Sequence, residues 1–265
     1  MFRTLAGVEL YAVAQGASVV LFFLLAYRYL QGKRRLLHAG ALTLFYMLAN
    51  FVAAKFFFDL RQDPQAVRLV NYFRPQHYFD GGFWGWPVAF LPVVLAYPIL
   101  FRLNRLAVYR AVALTVPLVI FMQKLGCLAI GCCAGRPSDV PWAIVFPVGS
   151  QCDTPGVPVH PVQLYDMLFA LASYGVLRWM DRRPAARAFL FPAFIALYGI
   201  NRVATEFFRP EFTGDLSTRQ WLAGGAASLV LLMLLLGRRI WTRFVAEGRS
   251  GVLPLSQDRA SQNQQ

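Results

Sequence analysis

Charged residues are scarce in this sequence. Only 15% of its 265 residues are Asp, Glu, Lys or Arg, and only 13 are acidic, whereas soluble domains carry about 25% charged residues. The hydrophobic fraction is 57% and the mean hydropathy is +0.47. This composition excludes an ordinary soluble globular domain and indicates an integral membrane protein.

Histidine and cysteine are also few. The sequence has three histidines and four cysteines, and it contains no C-x-x-C pair. The cysteines fall in one stretch, at Cys127, Cys132, Cys133 and Cys152. Since adjacent cysteines do not easily serve one tetrahedral ion, we expect no metal site. A disulfide from Cys152 to Cys132 or Cys133 is an alternative use of these thiols on the oxidising side of a membrane.

Long apolar runs dominate the rest of the chain. Each is near or above the length of about 18 to 20 residues that crosses the hydrocarbon of a bilayer. We therefore predict an all-α integral membrane protein with about seven transmembrane helices. The predicted spans are 6–30, 36–58, 83–101, 107–130, 162–180, 189–207 and 221–237.

These spans define the predicted domain organisation. Residues 1–240 are expected to form one transmembrane domain, in which an external loop at 131–161 covers the site. The segment 241–265 is mostly polar and lacks periodicity, so we expect a disordered cytoplasmic tail.

Positive charge is placed regularly along the chain. Lys and Arg number 26 against 13 acidic residues, which gives a formal net charge of +13. Basic clusters follow the first, third, fifth and seventh spans. By the positive-inside rule, this alternation places the N-terminus outside and the C-terminus in the cytoplasm. The charges are scattered over short links without an aromatic–basic module, which argues against nucleic acid as a partner.

A first polar cluster surrounds the loop 131–161. Lys124 lies within the fourth span, where its charge requires a polar cavity or an anionic partner such as a lipid phosphate. His160 ends the loop and is a candidate base near neutral pH, with a satisfied structural histidine as the alternative. Gln163 and Tyr165 follow it in the first turns of the next helix.

A second polar cluster lies in the sixth span. Arg202 and Glu206 are four residues apart and share one helix face, with Arg209 close by. They form either a structural ion pair within the membrane or a site where Arg202 holds an anionic head group that Glu206 orients.

Asp80 precedes two glycines where the chain enters the third span. The segment Asp80-Gly81-Gly82 is either a flexible entry loop or a place where the backbone approaches a ligand closely.

At these residues the chain resembles the bacterial prolipoprotein diacylglyceryl transferases. Residues 160–166, HPVQLYD, are close to the family pattern HPSQLYE, and residues 202–209 contain R-x-x-x-E-F-F-R, in which Arg202 and Glu206 match functional positions of the family. The likeness covers most of residues 1–240.

The family's central motif, roughly G-R-L-G-N-F-I-N-G-E-L-W-G, aligns with residues 123–135, QKLGCLAIGCCAG. Lys124 takes the place of the arginine, Cys127 and Ile130 those of the two asparagines, and Cys132 that of the glutamate. The family's histidine-glycine-glycine appears as Asp80-Gly81-Gly82, so this chain resembles a divergent branch.

The resemblance implies a reaction. A diacylglyceryl group would move from phosphatidylglycerol to the signal-peptide cysteine thiol of a preprolipoprotein, at the outer face of the bacterial inner membrane, without a cofactor. Lys124 and Arg202 are expected to bind the phosphate, and His160, or Asp80 in the place of the family histidine, to act as base. The expected catalytic residues are His160, Arg202, Glu206 and Asp80, and the expected substrate-binding residues are Lys124, Gln163, Tyr165, Gly126, Gly131 and Arg209.

Two alternatives remain open from the sequence. The chain could use the same lipid donor with a different acceptor, because the cysteines of the central motif alter that region. It could also be a non-catalytic protein that binds or translocates lipid and retains only the scaffold and the cationic pocket.

Overall fold

The computed structural model describes residues 5–49, 85–210 and 242–243. Asp80 and the seventh predicted span, 221–237, lie outside these residues. So does the predicted tail 241–265, apart from residues 242–243.

Helices account for most of the described ranges. Helix α1 is Leu5–Tyr29, α2 is Arg35–Met47, α3 is Gly85–Leu100, α4 is Arg105–Ile130, α5 is Val162–Asp181 and α6 is Leu190–Glu206. A 3₁₀-helix, Pro184–Phe189, connects α5 to α6.

The ends of α4 follow from two residues. The Asn104 side-chain oxygen accepts a hydrogen bond from the backbone N–H of Ala107 at 3.2 Å, as an N-cap residue does. Gly131 has φ +81° and its N–H donates to the Cys127 carbonyl at 2.9 Å, which ends the helix in the left-handed conformation. The 26 residues of α4 extend about 39 Å, enough to cross a bilayer.

Three helical segments among the described residues are long and apolar enough to cross a membrane: Leu10–Tyr29, Arg105–Ile130 and Pro184–Glu206. They match the first, fourth and sixth predicted spans. Helix α5 has 20 residues but is not among them, and Phe90–Leu100 in α3 is apolar but shorter. The structure is consistent with an all-α membrane protein, while the count of seven spans and the orientation stay predictions.

The chain divides into two compact units. The first comprises residues 1–29 with 110–238, and the second comprises 30–109 with 239–265. In the second unit α2 packs against α3, and Nδ1 of His38 lies 2.9 Å from the Tyr97 hydroxyl.

In the first unit α5 packs against α6, while α1 approaches α4 at Gly126. A Cβ atom at Gly126 would lie 3.0 Å from Cβ of Ala14 and 3.3 Å from the ring of Tyr11. The absence of a side chain at Gly126 therefore lets the two helices approach closely.

The loop 131–161 is built around two short strands. Strand β1, Ile144–Val145, pairs antiparallel with β2, Pro158–Val159, and Pro137 forms a further bridge to Val159. Ala134, Phe146, Cys152 and Val159 form a buried apolar cluster within this loop. The predicted external loop is thus a folded element with its own small core.

Gly135 is the tightest point of this loop. Its N–H donates to the His160 carbonyl at 2.8 Å. A Cβ atom there would lie only 2.6 Å from the Phe208 carbonyl oxygen and 2.7 Å from Cβ of His160. Only glycine fits at this crossing, which holds the loop against the start of α5 and the residues after α6.

Candidate functional site

Asp166 on α5 is the centre of a buried charge cluster. The Nζ atom of Lys124 on α4 lies 2.9 Å from its Oδ2 atom, and Nη2 of Arg209 lies 3.7 Å from the same oxygen. Asn201 on α6 donates from Nδ2 to Oδ1 at 3.1 Å. The Asp166 side chain is 2% exposed and that of Lys124 is 9% exposed, so both charges depend on each other for compensation.

A second ion pair lies on α6. Nη2 of Arg202 is 3.2 Å from Oε2 of Glu206, and the two side chains are only 5% and 4% exposed. The predicted sharing of one helix face is confirmed. Buried pairs contribute little net stability, so this geometry is compatible with both a structural pair and an anion site.

Side chains from the region around Asp166 also hold the turn that follows α4. Gln163 on α5 donates from Nε2 to the Cys132 carbonyl at 2.7 Å, and Arg209 donates from Nη1 to the Cys133 carbonyl at 3.0 Å. These two hydrogen bonds tie the backbone of the cysteine pair to the charge cluster around Asp166.

The cysteines do not form the disulfide that the sequence offered as one possibility. All four are free thiols, and Cys152 lies in the apolar cluster of the loop, so the disulfide from Cys152 is not formed in this structure. The sulfurs of Cys127, Cys132 and Cys133 all lie within 4.8 Å of one another. Adjacent cysteines therefore share one small volume here, and the expected absence of a metal site stays a prediction.

His160 belongs to an aromatic group at the mouth of the site. The indole N–H of Trp142 donates to the Tyr165 hydroxyl at 2.7 Å, and this hydroxyl lies 3.1 Å from Nδ1 of His160. The Phe208 ring packs against both, with centroid distances of 4.9 Å to His160 and 5.3 Å to Tyr165. Burial, followed by the positive charge of Arg136, lowers the pKa of His160 below its ordinary value, so the imidazole is neutral at neutral pH.

A cavity of about 690 Å³ lies between the loop 131–161, α5 and α6. Its walls are largely apolar and include Leu164, Leu168 and Phe169, while His160 and Asn201 contribute polar groups. Because Asn201 also hydrogen-bonds to Asp166, the cavity reaches the charge cluster.

Three buried polar atoms beside Asp166 have no hydrogen-bond partner among the described residues. They are Nε of Arg209, Oε1 of Gln163 and Oδ1 of Asn201. An unsatisfied buried polar group costs about 1–3 kcal/mol, and folded proteins retain few of them. Their concentration at one place is typical of a site that receives a polar ligand.

Seven of the predicted site residues lie close together, around the start of α5 and the end of α6. They are Lys124, His160, Gln163, Tyr165, Arg202, Glu206 and Arg209. Gly126 makes a helix contact and Gly131 ends α4, so a direct contact with substrate stays a prediction for both. Asp80 lies outside the described residues.

Sequence reasoning missed several contributors. Asp166 was part of the HPVQLYD motif but had no assigned role, although its spacing of three from Gln163 puts both on one helix face. Asn201, which directly precedes Arg202, had no assigned role either. Nothing in the sequence pattern pointed to the hydrogen bond of Trp142 or to the close packing at Gly135.

Several proteins that carry one common name are similar in sequence to this chain. A relative from Bordetella bronchiseptica, named phosphatidylglycerol–prolipoprotein diacylglyceryl transferase, is 32% identical over 173 residues, which are 58% of this chain and 64% of the relative. Proteins of the same name from Idiomarina loihiensis and Methylococcus capsulatus are each 36% identical, over 118 and 124 residues. These regions are 42% and 46% of this chain and 42% and 45% of the relatives. The matched regions thus span less than two thirds of these relatives.

The family comparison covers more of the chain. The profile described as prolipoprotein diacylglyceryl transferase matches residues 6–236, which include α1 to α6, the charge cluster and the cavity. The chain therefore belongs to the prolipoprotein diacylglyceryl transferase family.

Proposed function

We propose that this protein transfers a diacylglyceryl group from phosphatidylglycerol to the cysteine thiol of a preprolipoprotein. The observation that carries the proposal is the buried cationic cluster around Asp166 beside an apolar cavity of about 690 Å³. A phospholipid needs both parts, a site for its phosphate and an apolar wall for its acyl chains.

The charges of the cluster fit a phosphodiester. Three cations, Lys124, Arg202 and Arg209, face two carboxylates, Asp166 and Glu206, which leaves one net positive charge. A phosphodiester carries one negative charge and would neutralise the site. The unsatisfied Nε of Arg209 supplies a buried donor for a phosphate oxygen.

The unsatisfied acceptors fit the rest of the head group. Oε1 of Gln163 and Oδ1 of Asn201 lack donors among the described residues, and the glycerol of phosphatidylglycerol brings two hydroxyl groups. The apolar walls at Leu164, Leu168 and Phe169 would receive the first part of the acyl chains.

The reaction assigns roles to these groups. The acceptor sulfur attacks the diacylglyceryl carbon, a C–S bond forms, and the C–O bond to phosphate breaks so that glycerol phosphate leaves with the electron pair. Lys124 and Arg202 stabilise the charge that develops on the phosphate. Neutral His160 accepts the thiol proton, with Asp80 as the alternative base, while Glu206, Gln163 and Tyr165 position these groups.

The proposed setting is the bacterial inner membrane. The chain would cross it several times, about seven in all, with the site opening at the outer face. The three apolar helical segments among the described residues and the alternating basic links support this arrangement.

A transfer assay tests the proposal. Purified full-length protein in detergent is incubated with phosphatidylglycerol and a peptide that carries a lipobox cysteine, and the peptide is analysed by mass spectrometry. We expect a diacylglyceryl mass gain that Arg202→Ala abolishes. Arg182→Ala, which replaces an exposed arginine after α5, is the matched control and keeps full transfer.

The same assay separates the two alternatives. No mass gain on the peptide, with glycerol phosphate released and the diacylglyceryl group recovered on water or another compound, would indicate a different acceptor. No release of glycerol phosphate, with phosphatidylglycerol retained on the purified protein, would indicate a lipid-binding protein without catalysis. Full transfer by Arg202→Ala would contradict the proposed phosphate site.

A further inference from the structure

Three thiols lie together next to the charge cluster. Cys127 is in the last turn of α4, and Cys132 and Cys133 are in the turn that follows Gly131. Their sulfur atoms are all within 4.8 Å of one another, and they form a group that can hold a metal ion by geometry. The proposed phosphate site does not use these sulfurs.

The backbone is unusual at the turn where the adjacent cysteines share one volume. Gly131 and Cys133 both have positive φ angles, +81° and +62°. A left-handed conformation at a residue other than glycine costs about 1–2 kcal/mol, and this cost falls at the residue whose sulfur lies within 4.8 Å of the other two. Such strained residues persist where the surrounding structure holds them.

Hydrogen bonds hold this turn in place. Gln163 binds the Cys132 carbonyl and Arg209 binds the Cys133 carbonyl. The thiols are therefore fixed by side chains that also belong to the region around Asp166, and a group bound by the sulfurs would lie beside the proposed phosphate site.

Three thiolates at this spacing suit a zinc ion. A Zn–S bond of about 2.3 Å places the sulfurs of a tetrahedral site about 3.8 Å apart, so the observed separations need to contract by at most about 1 Å. Among the described residues the group has three members, and zinc sites with three protein ligands and one open position are typical of catalysis rather than of structure.

We propose that Cys127, Cys132 and Cys133 bind a zinc ion whose fourth position takes the acceptor cysteine as a thiolate and presents it for S-alkylation. This inference rests on the proposed function, because it assigns the acceptor thiol a site. A thiol that coordinates zinc loses its proton, which His160 or water accepts. The zinc-bound sulfur then forms the C–S bond as the C–O bond to phosphate breaks, and the thioether product leaves the ion as a weaker ligand.

Cobalt binding tests the site without reference to activity. The reduced full-length protein in detergent is stripped of metal, titrated with Co²⁺ alone, and followed by the sulfur-to-cobalt charge-transfer absorption. We expect one Co²⁺ per chain, a band intensity that corresponds to three thiolates, and competition by Zn²⁺.

Single substitutions provide the matched controls. Cys132→Ser and Cys127→Ser should weaken Co²⁺ binding by at least about 100-fold, since changes outside the ligands alone cost 10- to 100-fold. Cys152→Ser removes a thiol that lies outside the sulfur group and should bind Co²⁺ as the unaltered protein does. Thermal unfolding of each variant in the metal-free form shows whether the fold is retained.

A second arm tests the open position. Adding the lipobox peptide to the Co²⁺ form should increase the charge-transfer absorption by about one third, because a fourth thiolate joins three. A peptide with serine in place of cysteine should leave the spectrum unchanged.

The outcomes separate this inference from the proposed function. Absence of the thiolate band, or an unchanged spectrum with the cysteine peptide, overturns the zinc–thiol site. Equal diacylglyceryl transfer by metal-free and zinc-loaded protein also overturns it but leaves the proposed function intact. A cobalt site that responds to the peptide thiol, together with no lipid transfer, supports the thiol site and contradicts the proposed reaction.

Discussion

Helix α5 carries a buried aspartate near each end, and the two have different surroundings. Asp181 accepts two hydrogen bonds from Arg110, at 2.6 and 2.9 Å, and one from Arg178 at 2.7 Å. Arg187 donates to its backbone carbonyl at 2.9 Å. These arginine side chains are 26–39% exposed, so water completes their hydration.

Asp166 is surrounded instead by groups that water does not reach freely. Its partner Lys124 is 9% exposed, and Nε of Arg209, beside it, is buried without a hydrogen-bond partner among the described residues. Asp181 is bound by one bidentate arginine and a second, monodentate one, whereas Asp166 is surrounded by partners with unfilled hydrogen bonds. The contrast favours a ligand site at the Asp166 end of α5, where the described residues leave hydrogen bonds unfilled.

Replacing Lys124 should have the largest effect on the ligand end of α5, around Asp166. Lys124→Met leaves the Asp166 carboxylate buried without its closest cation, which costs about 3–5 kcal/mol in the free energy of unfolding. Loss of one phosphate ligand should also reduce transfer by about 100-fold or more. Thermal unfolding and the mass-spectrometric transfer assay measure the two effects.

Lys124→Arg is the control for this substitution. Its guanidinium keeps the charge and can bind a carboxylate or phosphate through two hydrogen bonds, so we expect it to retain folding and most of the transfer. Normal transfer by Lys124→Met would mean that the ion pair of Asp166, like that of Asp181, serves stability and not transfer.

Removing Arg110 should affect stability alone. Arg110→Ala deletes two charge-assisted hydrogen bonds to Asp181 but leaves Arg178 and Arg187, so we expect a loss of about 1.5–3 kcal/mol in the free energy of unfolding. The transfer rate of the folded protein should stay within about twofold of the original. A loss of transfer greater than the loss of folded protein would mean that the two ends of α5 are functionally coupled.

Gly135→Ala should disturb the ligand end without changing any charge. The added methyl group meets the Phe208 carbonyl and His160, and we expect overpacking to cost about 1–3 kcal/mol. Transfer should fall further than stability because both contacts border the cavity. Comparing the melting temperature and the transfer rate with those of Gly175→Ala checks this, since a Cβ at Gly175 meets nothing within 4 Å and the residue has no positive φ.

The pH dependence should give the smallest effect. Since the pKa of His160 is lowered in the folded protein, its neutral form persists below its ordinary pKa of about 6.5. The folded state then binds fewer protons than the unfolded state, so this contribution to stability is present above that pKa and is lost as the pH falls.

The pH dependence of the transfer rate tests the role of His160 as the base. If His160 is the base, the acid limb of kcat/KM lies below pH 6.5, and His160→Gln removes that limb. An unchanged acid limb in His160→Gln would assign the base to another group, such as Asp80.

Sequence reasoning identified those features that depend on a single chain segment. Charge inside an apolar run was enough to single out Lys124 and the pair of Arg202 and Glu206. The predicted end of the fourth span at residue 130 is confirmed, since α4 ends at Ile130 and Gly131 has a left-handed conformation. The helical character of α1, α4 and α6 followed from run length and composition.

Features that depend on distant segments were not predictable in this way. The partner of Lys124 is Asp166, 2.9 Å away in space but on another helix, and the sequence offered no measure of that distance. Likewise, the three sulfurs gather at a turn where Cys133 has a positive φ angle, and side chains from other segments, Gln163 and Arg209, donate hydrogen bonds to the carbonyls of this turn. A spacing rule for metal ligands assumes ordinary backbone angles and could not show that these sulfurs lie close together.

The distance along the chain between Lys124 and Asp166 has a consequence for biosynthesis. The ribosome adds about 5–20 residues per second, so several seconds separate the synthesis of the lysine from that of its carboxylate, and Arg209 emerges later still. During this interval Lys124 lacks the carboxylate that compensates its charge in the folded protein, and an uncompensated charge is unfavourable in lipid. We therefore expect stable insertion of α4 to wait until α5 has been made.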